Sequence, residues 1–299
     1  MKTLLSLLII AISSVNIAIA QDVVFADVFR TKIGSHIAVY TLSEGQQQGS
    51  TKILKNASEE IIQETAPDGT FPNAVNAFLI KKDGKNILVD TGFGRKLFDN
   101  LESIGVKSTS ISAILLTHAH GDHIGGLVKD GKSTFPFATI YVSEKEHNYW
   151  ISEKNKSYIT VTELYNIKTF KPNKLNKVTK PVLEDIFAIE AYGHTPGHVG
   201  FLIKAKKGEK LLIWGDLTHA MAVQMPYPKV SVTYDVNPEE AAETRLKILD
   251  YVVKNNTLVA GMHIAHPATG WIIKKGNGFE FRTFGQMPPD NRSNHKKGR

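Results

Sequence analysis

Ala113-Ile114-Leu115-Leu116-Thr117-His118-Ala119-His120-Gly121-Asp122-His123 sets three histidines and an aspartate within six residues, directly behind a short apolar run. The apolar run has the length and character of a buried strand. In the extended segment that follows, residues two apart point the same way. His118 and His120 therefore converge on one cation, while Asp122 and His123, beyond the turn at Gly121, face a second. A lone histidine is usually a satisfied core or surface residue, but four ionisable groups this close are costly to hold together without a metal. Gly125-Gly126 then permits close backbone approach as a helix begins.

Working outward, other segments end on residues of the same chemistry. Tyr192-Gly193-His194-Thr195-Pro196-Gly197-His198 reads as a rigid turn presenting His194, with His198 a structural partner inside the turn. Trp214-Gly215-Asp216 closes a buried strand on a carboxylate, and Leu258-Val259-Ala260 leads through Gly261-Met262 to His263. His266 competes with His263 for that position, but His263 comes directly after the strand, whereas His266 precedes Pro267 in the following loop. Asp90 ends the strand Asn86–Val89 and is read as a group that orients a ligand. His36, His147 and His295 have no motif around them.

Short apolar strands alternate with polar or helical segments along the whole chain. Strands are expected at 86–89, 112–117, 139–142 and 211–214, with helices at 95–104 and 238–254. In the first helix Leu97, Leu101 and Ile104 share a face. In the second, Asn237 is the N-cap, Pro238 opens the first turn, and Glu239 and Glu240 complement the helix dipole. Ala242, Leu246, Leu249 and Val253 are its expected buried stripe. This mixture predicts an α/β layered domain with its chemistry on loops at strand ends.

The chain has 299 residues, 42% of them apolar and 22% charged, which is ample for a buried core. Residues 1–20 carry Lys2, an apolar stretch from Leu4 and an Ala18-Ile19-Ala20 cleavage signal, and are expected to be a signal peptide. That places the protein in the periplasm or outside the cell, with no stable membrane anchor. A hydrolase domain over 21–290 and a basic, disordered tail over 291–299 complete the expected organisation. With no cysteine, disulfides are excluded and any metal must be held by imidazole and carboxylate. The net charge of +7 is dispersed, without aromatic residues among the basic ones, so a nucleic-acid partner is not expected.

Taken in order, these residues resemble the metallo-β-lactamase superfamily from roughly Asn76 to Phe284. The resemblance implies a four-layer αββα sandwich. It implies that His118, His120 and His194 hold one metal, that Asp122, His123 and His263 hold the other, and that Asp216 bridges both. Two Zn²⁺ suit this donor set, although other divalent metals fit it too. The stretch from Gly215 through Val232, the following helix and Ala260–His263 are similar to methyl parathion hydrolases and N-acyl-homoserine lactone lactonases. A homodimer is also implied by resemblance.

Two such metals, about 3.5–4 Å apart, acidify a water between them and polarise a substrate oxygen. The expected reaction is attack of a metal-bridging hydroxide on an acyl lactone, with Asp122 orienting it or carrying a proton. Organophosphate triester or aryl ester hydrolysis is the alternative, and a β-lactamase a weaker one, since its cysteine-dependent branches require a residue this chain lacks. One lactonase group places a tyrosine three residues after the bridging aspartate. Here that position is His219, which is expected to donate a hydrogen bond to the substrate carbonyl. Tyr149, Trp150, Met221 and Met225 are candidate pocket residues, and the segment from Ser43 to Pro72 is a candidate flap at the entrance.

Overall fold

Side chains alternate between the two faces of each strand, and in the central strands both faces are buried, each in a different core. The computed structural model describes residues 21–25 and 27–284. The leader expected over 1–20, the tail over 291–299 and His295 lie outside the described residues. The first sheet contains eight strands: β1 (Gln21–Phe25), β2 (Val28–Ile33), β3 (Ile37–Ser50), β4 (Thr70–Lys82), β5 (Lys85–Val89), β6 (Ile111–Leu115), β7 (Thr139–Ser143) and β8 (Asn166–Phe170). The second contains six: β9 (Ile186–Glu190), β10 (Val199–Lys204), β11 (Lys210–Ile213), β12 (Leu258–Ala260), β13 (Thr269–Lys275) and β14 (Gly278–Arg282). In both sheets each strand pairs with the next in sequence. β5 through β8 run parallel, as do β11 and β12, and the remaining pairs are antiparallel.

Three stacked cores follow from the alternation. Leu79, Leu88 and Ile114 face α2 (Leu97–Ser103) and α5 (Lys156–Leu164), meeting Leu97, Leu101, Tyr158 and Val161. Their neighbours Phe78, Ile80, Val89 and Leu115 turn the other way, against Phe201, Ile203, Ile213 and Ala260 of the second sheet. Leu202, Leu212 and Val259 point outward again and pack on Ile248, Leu249 and Val252 of the helix Pro238–Lys254. Helix, sheet, sheet and helix give the αββα sandwich. Each fully buried aliphatic side chain contributes roughly 1.5–3 kcal/mol.

Local expectations hold closely, with one correction. The strand at Leu258–Ala260 and the helix at Pro238–Lys254 have the expected bounds, and the Asn237 side chain caps Glu240 N. The buried stripe of that helix is Ala241, Ala242, Arg245, Ile248, Leu249 and Val252, whereas Leu246 and Val253 are only half-buried. The stripe is displaced because it contains a buried arginine. Arg245 donates from Nε to Leu217 O and from Nη1 to Pro228 O and Val230 O, so a loop of carbonyls satisfies it. Among the described residues no helix is long and apolar enough to cross a membrane.

Asn76, on β4, ties the two sheets together where the histidine loops emerge. Its backbone N donates to Met262 O at 2.9 Å, and Nδ2 reaches Gly261 O, Met262 O and Ile264 O at 3.1, 3.0 and 2.9 Å. All of this is buried, so Asn76→Ala removes three bonds and leaves Ile264 O without a donor among the described residues. Urea denaturation is expected to show a loss of about 1–3 kcal/mol; an unchanged midpoint would mean that water replaces the amide.

Candidate metal centre

Ends of strands from both sheets converge on one site. β5 runs into Asp90, whose backbone takes the left-handed φ of 55°. That turn aims the carboxylate inward: Oδ1 accepts Thr117 N at 2.8 Å, and Oδ2 accepts Thr117 Oγ1 and meets His123 Nδ1, both at 2.6 Å. β6 leads into Thr117–His120 and the one-turn helix α3 (Gly121–Ile124), which carries Asp122 and His123. β11 leads through Gly215 to Asp216. Gly215 has φ +63°, and a Cβ there would lie 2.3 Å from His198 Nε2, so only glycine fits.

All seven expected ligands come together, in two groups that share Asp216. His118, His120, His194 and Asp216 form one, and Asp122, His123, Asp216 and His263 the other. His120 Nδ1 lies 2.9 Å from His118 Nε2 and 3.0 Å from His194 Nε2. Asp216 Oδ1 is 3.1 Å from His123 Nε2, and Oδ2 is 3.2 Å from His263 Nε2 and 3.3 Å from His194 Nε2. His266 is not in either group; it packs on Phe29 instead. His198 has both nitrogens spent on backbone, meeting Ala191 O at 2.7 Å and accepting Asp216 N at 2.9 Å, as a turn partner should.

The donor set fits a pair of cations. Buried His123 Nε2 and Asp216 Oδ1 lack any hydrogen-bond partner. The outward nitrogen of each buried ligand is fixed: His118 Nδ1 by Thr117 Oγ1, His123 by Asp90, His194 Nδ1 by Asp235 Oδ1 at 2.9 Å, and His263 Nδ1 by Ala74 O at 3.0 Å. Such partners fix the ring orientation and direct the other nitrogen to the ion. Burial, with repulsion from His194, pushes His120 down to about 3, so its lone pair is available for a metal. Burial also opposes charge on Asp216, but His123, His263 and His118 hold its carboxyl well below the usual range.

The clusters open into a cavity of about 690 Å³. Val75, Ile53, Phe93 and Tyr234 give it apolar lining, and Gln47, Gln48, Asn73, Arg95 and His219 its polar groups. The segment expected to be a flap is thus a wall, since β3 pairs with β4 as far as Ser50↔Thr70. Tyr149 and Trp150 are not among the lining residues, and Met221 and Met225 line a separate cavity. His219 does line the site, with Nε2 3.1 Å from Asp216 Oδ2 and its ring stacked on His263.

Asp235 and Glu146 were not singled out in the sequence. Asp235 accepts from Val232 N and pairs with His194, but it lies 41 residues from that histidine, in no motif. The only available sign for Glu146 was its place at the start of a helix.

Residues 70–263, more than half of the chain, match the model of the Metallo-beta-lactamase superfamily. YobT, an uncharacterized protein of Bacillus subtilis, is 29% identical over 140 residues, which make up 44% of this chain and 57% of YobT. The chain thus spans less than two thirds of that relative. The hydrolase AbOPH of the beta lactamase superfamily superposes with a TM-score of 0.75 at 26% identity, covering 86% of this chain and 97% of its own. AidC, a dizinc quorum-quenching lactonase solved with N-hexanoyl-L-homoserine, does so with a TM-score of 0.72 at 25% identity, covering 85% and 96%.

Asp235→Asn keeps the shape of the side chain but removes the charge that fixes His194. Competition with a chelator is expected to show metal affinity lowered about 10–100-fold, and unchanged retention would mean that His194 is held by packing alone.

Proposed function

The chain belongs to the metallo-beta-lactamase superfamily, and from that footing we propose that this hydrolase opens the ring of N-acyl-homoserine lactones. The observation that carries the reading is the composition of the pocket. Both ligand clusters line it together with Val75, Ile53, Phe93 and Tyr234, and the amides of Gln47, Gln48 and Asn73 stand beside them. A lactone ring, an acyl chain and the amide between them call for these three kinds of surface. The likeness to AidC over most of both chains supports the same substrate class.

His118, His120 and His194 would hold one ion, Asp122, His123 and His263 the other, with Asp216 shared between them. Two divalent ions there, zinc by the donor set, supply a water acidified to near neutrality and polarise the substrate carbonyl. Asp122 is the residue for proton handling. Its side chain is 23% exposed, against 0–8% for His118, His123, His194, Asp216 and His263, so it has the most room of these to take a proton from the attacking water and pass it to the leaving alkoxide. Burial pushes His219 down to about 4 despite the neighbouring Asp216, which keeps the imidazole neutral near pH 7. Its Nε2–H, 3.1 Å from Asp216 Oδ2 at the edge of the site, would turn from that oxygen to the substrate carbonyl.

Zinc-loaded protein is expected to hydrolyse N-hexanoyl-homoserine lactone in a pH-stat assay, with Asp216→Ala inactive. His219→Phe should lower kcat/KM about 10²-fold at unchanged metal content. Inert lactone beside a hydrolysed phosphotriester would move the enzyme to the triesterases, and full activity in His219→Phe would remove that residue from the mechanism.

We also propose that residues 1–20 direct export, so that the enzyme meets diffusible signals outside the cytoplasm. N-terminal sequencing of protein recovered from the periplasm should begin at Gln21; an intact Met1 terminus would refute cleavage there.

A further inference from the structure

Ser143-Glu144-Lys145-Glu146 has the form of a capping box, in which the glutamate turns back to the backbone of the capping serine. Only half of the box forms. Ser143 Oγ accepts Glu146 N at 3.2 Å and donates to Gly197 O at 2.6 Å. The Glu146 carboxylate turns away from the cap of its helix, α4 (Glu144–Ser152), and is completely buried. Four donors from three places in the sequence meet it there. Oε1 accepts Ala119 N at 3.1 Å and the Trp150 indole Nε1, while Oε2 accepts Thr195 Oγ1 at 2.6 Å and Gly197 N at 3.1 Å.

We propose that Glu146 is the positioning residue for one of the two cation sites, that of His118, His120 and His194. Its donors stand next to those ligands in the chain. Ala119 lies between His118 and His120, Thr195 follows His194, and the Trp150 ring packs edge-on against His120 at 5.4 Å. One carboxylate thereby fixes the loop carrying two ligands relative to the turn carrying the third. The approach is close, because a Cβ on Gly197 would fall 2.0 Å from Glu146 N.

A carboxylate surrounded by neutral donors, with no Lys or Arg among the described residues paired to it, is an expensive way to fill this volume. A single group with two acceptor oxygens is, however, what joins two loops that share no backbone ladder. The ligands of the other site have different supports: His123 is held by Asp90 and His263 by Ala74 O. Loss of Glu146 should therefore act on one site and spare the other.

The inference rests on the dimetal reading, and its test is a cobalt(II) titration of the metal-free full chain. The titration is followed by visible absorption and calorimetry, with circular dichroism and Tm as fold controls. The wild type should take up two equivalents in resolvable steps. His263→Ala, which removes a ligand of the other site alone, marks one step. Glu146→Gln presents an amide N–H₂ to groups that are themselves donors, and should weaken the other step about 10–100-fold. Glu146→Asp keeps the charge but loses the reach, and should not rescue it. Thr195→Val and Trp150→Phe each remove one arm, and should weaken the same step by smaller factors even if Glu146→Gln fails to fold. Weakening of the step marked by His263→Ala, equal weakening of both, rescue by aspartate, or no change in the single-arm variants would overturn the assignment. If the wild type took up no cobalt, the dimetal reading would fall and the assignment with it; two normal steps in Glu146→Gln would remove the assignment alone.

Discussion

The Asp216 carboxylate, 3% exposed, has imidazole nitrogens of His118, His123, His194, His219 and His263 within 3.6 Å. Rings packed this densely around one anion must be neutral or bound to cations, because several positive charges in so small a dry volume repel strongly. The surrounding structure serves to keep them in place regardless. Asp216 itself is fixed through its backbone N–H to His198, which requires the left-handed glycine at position 215. One histidine of the turn is thus committed to holding the shared carboxylate instead of joining the ligand set.

The site lies at the junction of the two sheets and depends on their packing. His118 to His123 come from the first sheet, and His194, Asp216 and His263 from the second. The apolar contact of Phe78, Val89 and Leu115 with Phe201, Ile213 and Ala260 sets the distance between these groups. Backbone links at the rim, Val199 N to Thr117 O at 3.0 Å and Asn76 N to Met262 O at 2.9 Å, pin the loops at that spacing. A ligand set divided in this way cannot assemble before the sandwich does. The pocket-lining groups Phe93, Arg95 and Tyr234 instead lie on loops, where chemistry can vary without disturbing the ligands.

Support for the two cation sites is distributed among different elements. Asp90 and Ala74 serve His123 and His263, Asp235 serves His194, and Glu146 joins the two loops of the remaining cluster. Arg245 extends this support outward, since its guanidinium binds the carbonyls of the loop that leads to Asp235. Its buried charge is satisfied almost wholly by carbonyl dipoles, with Asp235 Oδ2 4.0 Å away.

Sequence alone determined what is local. Histidines and aspartates just behind short apolar runs could be singled out as candidate ligands, with Asp90 as an orienting group, and their division between two ions came from the resemblance to the superfamily. Strand alternation and the capped helix from Pro238 to Lys254 were legible for the same reason, as the backbone imposes its period on the side chains. Tertiary structure alone decided what depends on distant partners. A buried Arg245 looks solvent-exposed until the carbonyls around it are known, so Ala242 and Leu249 of the expected stripe are buried but Leu246 and Val253 stand one position beyond Arg245 and Val252. Asp235 carries no spacing signal, and the capping-box spacing of Glu146 points to its own helix cap, because the partners of both lie up to 51 residues away. The pocket likewise took Phe93 and Arg95 from one loop and Tyr234 from another, and sent Met221 and Met225 to another cavity. Which residues share a surface is set by how the two sheets pack, and no local period records it.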